Sequence, residues 1–291
     1  MLHAIHNEAL TVTVSELGAE LQSIRSADGT EYLWQGDEHY WSDRALNLFP
    51  YVARLWEGKY SLDGKTYGMA IHGFAPYSRF VLAEKTAERM VFELRDSEEA
   101  YAQYPRRFIF RFIYALDQNT LNITYEVVNR DERTMYFGLG GHPGFNVPLE
   151  AGLKFEDYRL RFAKPCKPVR VGFSEDCFVN GQDSQFPLEQ DAVLPLHHDL
   201  FDDDAIVLRN MARSVTLEAP DMQRSVTVSF PDMPYLGIWH WPKKDAPYVC
   251  IEPWVSLPSR QGKTAVLEEQ EDLIRLESGK TYRNTWSVTI R

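Results

Sequence analysis

Three segments carry side chains suited to moving protons. The first is Tyr248-Val249-Cys250-Ile251-Glu252-Pro253-Trp254, an apolar run with one carboxylate near its end. On a strand, Val249 and Ile251 share one face, while Glu252 shares the other with Cys250 and Trp254. A carboxylate among apolar neighbours is costly unless it is paired or reaches a cleft. Burial also raises its pKa towards the range used in proton transfer. The competing role is a buried salt bridge to one of the chain's arginines. His72 lies in Ala70-Ile71-His72-Gly73-Phe74-Ala75, and His142 in Gly138-Leu139-Gly140-Gly141-His142-Pro143-Gly144-Phe145. Glycine lets backbone approach a ligand closely, and Pro143 is expected to end a strand with the imidazole at its tip. For each, the competing role is a core histidine whose ring nitrogens bond to backbone.

The other titratable clusters are weaker. His3, His6 and His39 lie in polar stretches expected to be exposed. His240, between Trp239 and Trp241, is expected to face away from both and has no assigned role. His197-His198-Asp199 contains metal-ligand residue types, but adjacent residues on a strand point opposite ways. No His-x-His or His-Glu-x-x-His pair occurs, and no metal or cofactor is expected. Cys166, Cys177 and Cys250 are odd in number and lack C-x-x-C spacing, which suggests neither a disulfide framework nor a zinc ribbon. Gly58 and Gly64-Lys65-Thr66 resemble a P-loop with one residue too many between the glycines. The flanking pattern predicts a hairpin turn at Asp63-Gly64 instead. Gly138, Gly140 and Gly144 miss the dinucleotide fingerprint by one position, and no amphipathic helix follows them.

The elements that must position these groups are strands. Alternating, β-branched and aromatic segments run through Leu10–Val14, Phe108–Leu116, Leu121–Val128, Ser214–Leu217, Ser225–Phe230 and Tyr282–Ile290. Turn dipeptides separate many of them, among them Asp28-Gly29, Asn180-Gly181 and Ser278-Gly279. Only Ser97–Tyr104 reads as a short helix, with Ser97 as its cap and Pro105 as its stop. The pattern predicts an all-β architecture in one domain spanning residues 1–291, with no parallel α/β layering. Across 291 residues, 31 basic and 42 acidic side chains give a net charge of −11, which works against a phosphate-tracking nucleic-acid surface. Arg106 to Arg111 is read as one strand with an arginine face. No apolar run reaches the ~18 residues of a membrane span, and the N-terminal stretch lacks a signal-peptide pattern. A cytoplasmic protein is expected, with no membrane or nucleic-acid partner. The 16 Phe, 15 Tyr and 7 Trp either fill a large β core or line a cleft.

Together, Asn47-Leu48-Phe49-Pro50-Tyr51-Val52-Ala53-Arg54, Ile71-His72-Gly73-Phe74, Gly140-Gly141-His142-Pro143-Gly144-Phe145 and Ile251-Glu252-Pro253-Trp254 resemble the aldose 1-epimerase (mutarotase) family, in its shorter bacterial branch. The resemblance runs essentially from end to end. It implies a large antiparallel β-supersandwich of the galactose mutarotase-like kind. It further implies an isomerase that interconverts the α and β anomers of a hexose without a cofactor, as a monomer or homodimer. On it, Glu252 corresponds to the general base and His142 to the general acid, with His72 as the second active-site histidine. Either histidine could be the acid. Arg54 and Asp204 correspond to substrate-binding residues, Asp204 lying in the run Asp202-Asp203-Asp204. An ionised Glu252 is expected to keep His142 protonated. Trp239, Trp241, Trp254 or Phe74 would stack on the sugar. Asn47 and Arg54 are spaced differently from the asparagine-rich stretch of galactose mutarotases, and Pro76 and Tyr77 follow Ala75 where many relatives continue HGFAR. The alternatives on the same fold are a non-catalytic carbohydrate-binding protein and a hexose-6-phosphate 1-epimerase.

Overall fold

Alternation decides which face of each strand is buried. In Thr281–Ile290 the side chains of Asn284, Trp286, Val288 and Ile290 point inward, while the residues between them stay wholly or partly exposed. The same period runs through Ser214–Glu218 and Ser225–Ser229. A computed structural model describing residues 1–291 joins these strands into two large sheets, with smaller ones beside them.

The nine-stranded sheet has at its centre Thr281–Ile290, Thr120–Asn129 and Phe108–Asp117. The last two form the expected hairpin, with Leu116 opposite Leu121 and the turn passing through Gln118 at φ 51°. The seven-stranded sheet runs in the order Ser184–Gln185, Val169–Arg170, Ile206–Arg209, Tyr235–Trp239, Tyr248–Trp254, Gly140–Asn146, Ala45–Leu48. Both large sheets are antiparallel throughout. Their facing sides meet in a continuous core of 67 buried residues. The fold is therefore the nearly all-β antiparallel sandwich that the strand pattern called for. The one α-helix, Glu98–Gln103, begins where the Ala100 N–H donates to Ser97 Oγ at 3.1 Å. Asp63 and Gly64 both take positive φ, 52° and 70°, so the P-loop look-alike is a hairpin turn. No helix is long and apolar enough to cross a membrane.

Two expectations need correction here. Arg106 to Arg111 is not one arginine face, because the strand starts at Phe108. Arg106 lies before it, 1 % exposed, forking onto both carboxylate oxygens of Asp63 and donating from Nε to the Thr134 carbonyl. His3 is not free at the surface either, since Nε2 meets Glu16 Oε1 at 3.0 Å.

The strand Tyr248–Trp254 is buried along its whole length. Val249 and Ile251 enter the main core. Tyr248, Cys250 and Trp254 enter a second cluster on the outer face, with Trp34, Trp41 and Leu46. The Glu252 side chain projects on that outer face, as alternation required.

Candidate active site

Strand register brings the acid–base candidates together. Gly140–Asn146 runs straight through His142 and Pro143, so Pro143 does not end the strand. On one edge His142 pairs with Leu46 and Pro143 with Ala45. On the other, Gly140 pairs with Trp254 and Gly144 with Cys250. Proline has no N–H to give, and the ladder lapses between those two pairs. The same register, carried across the lapse, sets His142 opposite Glu252. Their side chains meet accordingly, with His142 Nε2 3.3 Å from Glu252 Oε2. The glycines around them make room for side chains. A Cβ on Gly140 would lie 2.6 Å from the Trp254 indole, and one on Gly237 would lie 3.2 Å from the Glu252 Cβ.

Burial dominates the electrostatics. Glu252 is 1 % exposed and no arginine reaches it, which removes the buried-salt-bridge alternative. Desolvation, followed by the negative charge of Asp204, raises its pKa well above the ordinary 4.5. Desolvation, followed by His72, lowers the pKa of His142 well below 6.5. Burial thus works against the glutamate-stabilised imidazolium that the residue types alone suggested. His142 Nδ1 and Glu252 Oε2 are buried without a hydrogen-bond partner that meets full geometry in the fold.

His72 is built differently. Its φ is 65°, and the Ala53 N–H donates to its Nδ1 at 3.2 Å. That bond makes Nδ1 the acceptor and leaves the proton on Nε2. Burial, helped by the nearby Arg54 charge, pushes its pKa down to about 4. His72 is therefore a neutral donor of fixed tautomer, 5.6 Å from the His142 ring and nearly perpendicular to it.

Glu252, His142, His72, Arg54 and Asp204 all line one cavity of about 470 Å³. Asp204 takes φ 78° and accepts from the Cys177 thiol at 2.9 Å and from the Ala205 N–H at 2.9 Å. Asp203 also lines the cavity, whereas Asp202 does not. Arg54 is exposed and makes no side-chain hydrogen bond or ion pair within the chain. Trp239, Trp241 and Trp254 are on the wall, but Phe74 is not. Phe74 packs in the main core against Phe49 and Phe108. Asn47 is likewise structural, donating to the Gly18 and Ala19 carbonyls.

Some wall residues carried no signal in the sequence. Trp41 lies tilted against the His142 ring at 4.8 Å, and Asp43 and Tyr77 also line the cavity. All three come from loops or a short 3₁₀ turn, where no alternation marks an inward face. His142, Cys250 and Glu252 place donor atoms within 4.8 Å of one another. Burial, followed by Glu252, raises the Cys250 thiol pKa well above its ordinary value of 9. His240 is a core histidine facing away from Trp239 and Trp241, against Phe201, with Nδ1 bonded to the Trp241 carbonyl at 2.8 Å.

Comparison with known proteins places the chain in a family. Residues 1–288 match the family described as Aldose 1-epimerase. The chromosomal Protein LacX of Lactococcus lactis subsp. lactis is 33 % identical, over 98 % of both chains. A galactose mutarotase related enzyme from Lactobacillus acidophilus superposes with TM-score 0.95 at 36 % identity, covering 100 % of this chain and 97 % of its own. A galactose mutarotase-like protein from Lactobacillus casei gives 0.93 at 32 %, covering all of both chains. With its strands, its cavity and its end-to-end sequence match in agreement, this chain belongs to the aldose 1-epimerase family.

Proposed function

We propose that the protein is a mutarotase acting on a neutral hexose, with Glu252 and His142 as its proton-transfer pair. The observation that carries this reading is their 3.3 Å approach at the buried end of a tryptophan-walled cavity. Ring opening requires loss of the C1 hydroxyl proton and gain of a proton by the ring oxygen. Glu252 takes the first as C1=O forms and the C1–O bond to the ring breaks. His142 supplies the second. Rotation about C1–C2 exposes the other carbonyl face, and the two transfers then run backwards. Glu252 returns its proton to the carbonyl oxygen and His142 recovers its own.

The cycle conserves one proton on the pair. The neutral tautomer favoured by burial is the one that accompanies the open-chain aldehyde. The ion-pair tautomer accompanies the cyclic sugar, whose C1 hydroxyl donates to Glu252. Each such transfer is worth about 10²–10⁴ in rate. His72 Nε2–H and Arg54 act as donors to sugar oxygens, and Asp204 as an acceptor. Tryptophan faces take the sugar's C–H surface.

The lining supports a neutral sugar over a phosphorylated one. Asp43, Asp203, Asp204 and Glu252 stand against Arg54 alone. Arg79 lies in a different cavity and pairs with Glu16. Polarimetry of freshly dissolved α-anomers of glucose, galactose and their 6-phosphates tests this reading. Acceleration is expected with at least one free hexose and with neither phosphate. Tight sugar binding without any acceleration would instead mean a carbohydrate-binding protein.

A further inference from the structure

The cavity does not end at Arg54 and Asp204. A second cavity of about 510 Å³ adjoins it, and Arg54, Cys177 and Asp204 line both. Arg54, Cys177 and Asp204 thus form the wall the two cavities have in common. Trp56 and Phe178 stand edge to face in the second cavity at 5.0 Å, both partly exposed. The Trp56 backbone is fixed by donation from its N–H to Ser259 Oγ at 2.8 Å. Around them are the exposed carboxylates of Glu57, Glu175 and Asp176.

Neither the main core nor the proton-transfer chemistry uses this group. Its parts suit a pyranose ring, whose C–H face packs on an indole and whose hydroxyls donate to carboxylates. A phosphate or carboxylate ligand would meet Glu57, Glu175, Asp176 and Asp204 with only Arg54 in compensation. Each cavity falls in the ~300–1,000 Å³ range of small-molecule sites.

We propose that the second cavity is a subsite for a second uncharged sugar ring, so that the preferred substrate is a reducing disaccharide. Its reducing end occupies the His142–Glu252 cavity, and the glycosidic substituent passes over Arg54 and Asp204 to lie against Trp56. This extends the mutarotase reading and rests on it for the catalytic assay alone.

The test compares anomer exchange for glucose with that for maltose, cellobiose and lactose, which all end in glucose. For at least one of the three, kcat/KM should exceed that of glucose about tenfold, the scale of one good packing contact. Trp56→Ala, and separately the exposed-site filler Glu175→Trp, should bring that ratio close to one. Two variants at independent positions guard against a folding defect in either. No disaccharide above glucose, or a ratio unmoved by both changes, would overturn the subsite. A calorimetric arm with the same four sugars separates the two readings. A disaccharide bound about tenfold tighter than glucose, without turnover of any sugar, keeps the subsite and discards the mutarotase. Equal Kd values discard the subsite even where turnover is seen.

Discussion

Replacing Glu252 by Gln separates what the carboxylate does for the reaction from what it does to the fold. The change keeps the shape of a group that is 1 % exposed and lies 3.3 Å from His142 Nε2. It removes the only acceptor of the C1 proton. Loss of one general base should lower kcat about 10²–10⁴-fold, equivalent to about 2.7–5.4 kcal/mol of barrier. Sugar affinity should move only a few-fold, because Arg54, His72 and Asp204 are untouched. Stability should move the other way. The folded pKa of Glu252 is raised above its unfolded value, so its contribution is fully present below about 4.5 and is lost as pH rises towards the folded pKa. Each pH unit across that window costs the wild type about 1.4 kcal/mol, and glutamine, which cannot ionise, escapes the cost. At pH 7 the variant should therefore unfold at an equal or higher urea concentration while being nearly inactive. Polarimetry and urea denaturation on one preparation check both halves. Exchange within threefold of wild type would refute the base assignment. A large loss of stability would refute the account of a carboxyl held neutral by burial.

Other consequences follow from the same geometry. The rate of anomer exchange against pH should be a broad bell, because the pair works only while it holds one proton. Its acid limb, where the pair takes up a second proton, should have a midpoint below the ordinary histidine value of 6.5, and its alkaline limb should fall above the ordinary glutamate value of 4.5. A single ascending limb centred at 6.5 would contradict this. Cys177→Ala removes the thiol that donates to Asp204 and should raise KM about tenfold with a smaller change in kcat, whereas Cys177→Ser keeps a donor and should restore most of the loss. Arg106→Met removes a buried guanidinium's bonds to Asp63 and to the Thr134 carbonyl, with Arg133 still reaching Asp63, and should destabilise the fold by about 1–3 kcal/mol in urea melts while leaving activity per folded molecule intact, since neither residue lines the cavity.

What the sequence made legible was whatever depends on local period. Alternation along Tyr248–Trp254 put Glu252 on the face of Cys250 and Trp254, and the fold keeps it there. Ser97 and Asp63-Gly64 named a cap and a turn by their own chemistry. The distance between His142 and Glu252 was not readable that way, because it follows from the pairing of strands some hundred residues apart. Pro143 misled for a related reason. A missing donor interrupts one edge of a ladder, and pairing with Ala45–Leu48 on the other edge carries the strand through. The charge state of His142 was misjudged because proximity to a carboxylate can be read from residue types, whereas loss of solvent cannot. Trp41, Asp43 and Tyr77 reach the cavity from irregular backbone, whose side-chain directions have no period. Phe74 sits beside a site histidine in sequence, but the positive-φ turn at His72-Gly73 directs it into the core.

Ring opening at the Glu252–His142 pair is the central step of the proposed reaction. It is tested most directly by ¹H magnetisation exchange between the α- and β-anomeric protons of an equilibrated hexose. Wild-type protein should raise the exchange rate above buffer in proportion to its concentration, and the Glu252→Gln, His142→Asn double variant should return it to the buffer rate. Exchange that stays at the buffer rate for every neutral sugar tried, or that survives the double variant, would contradict it.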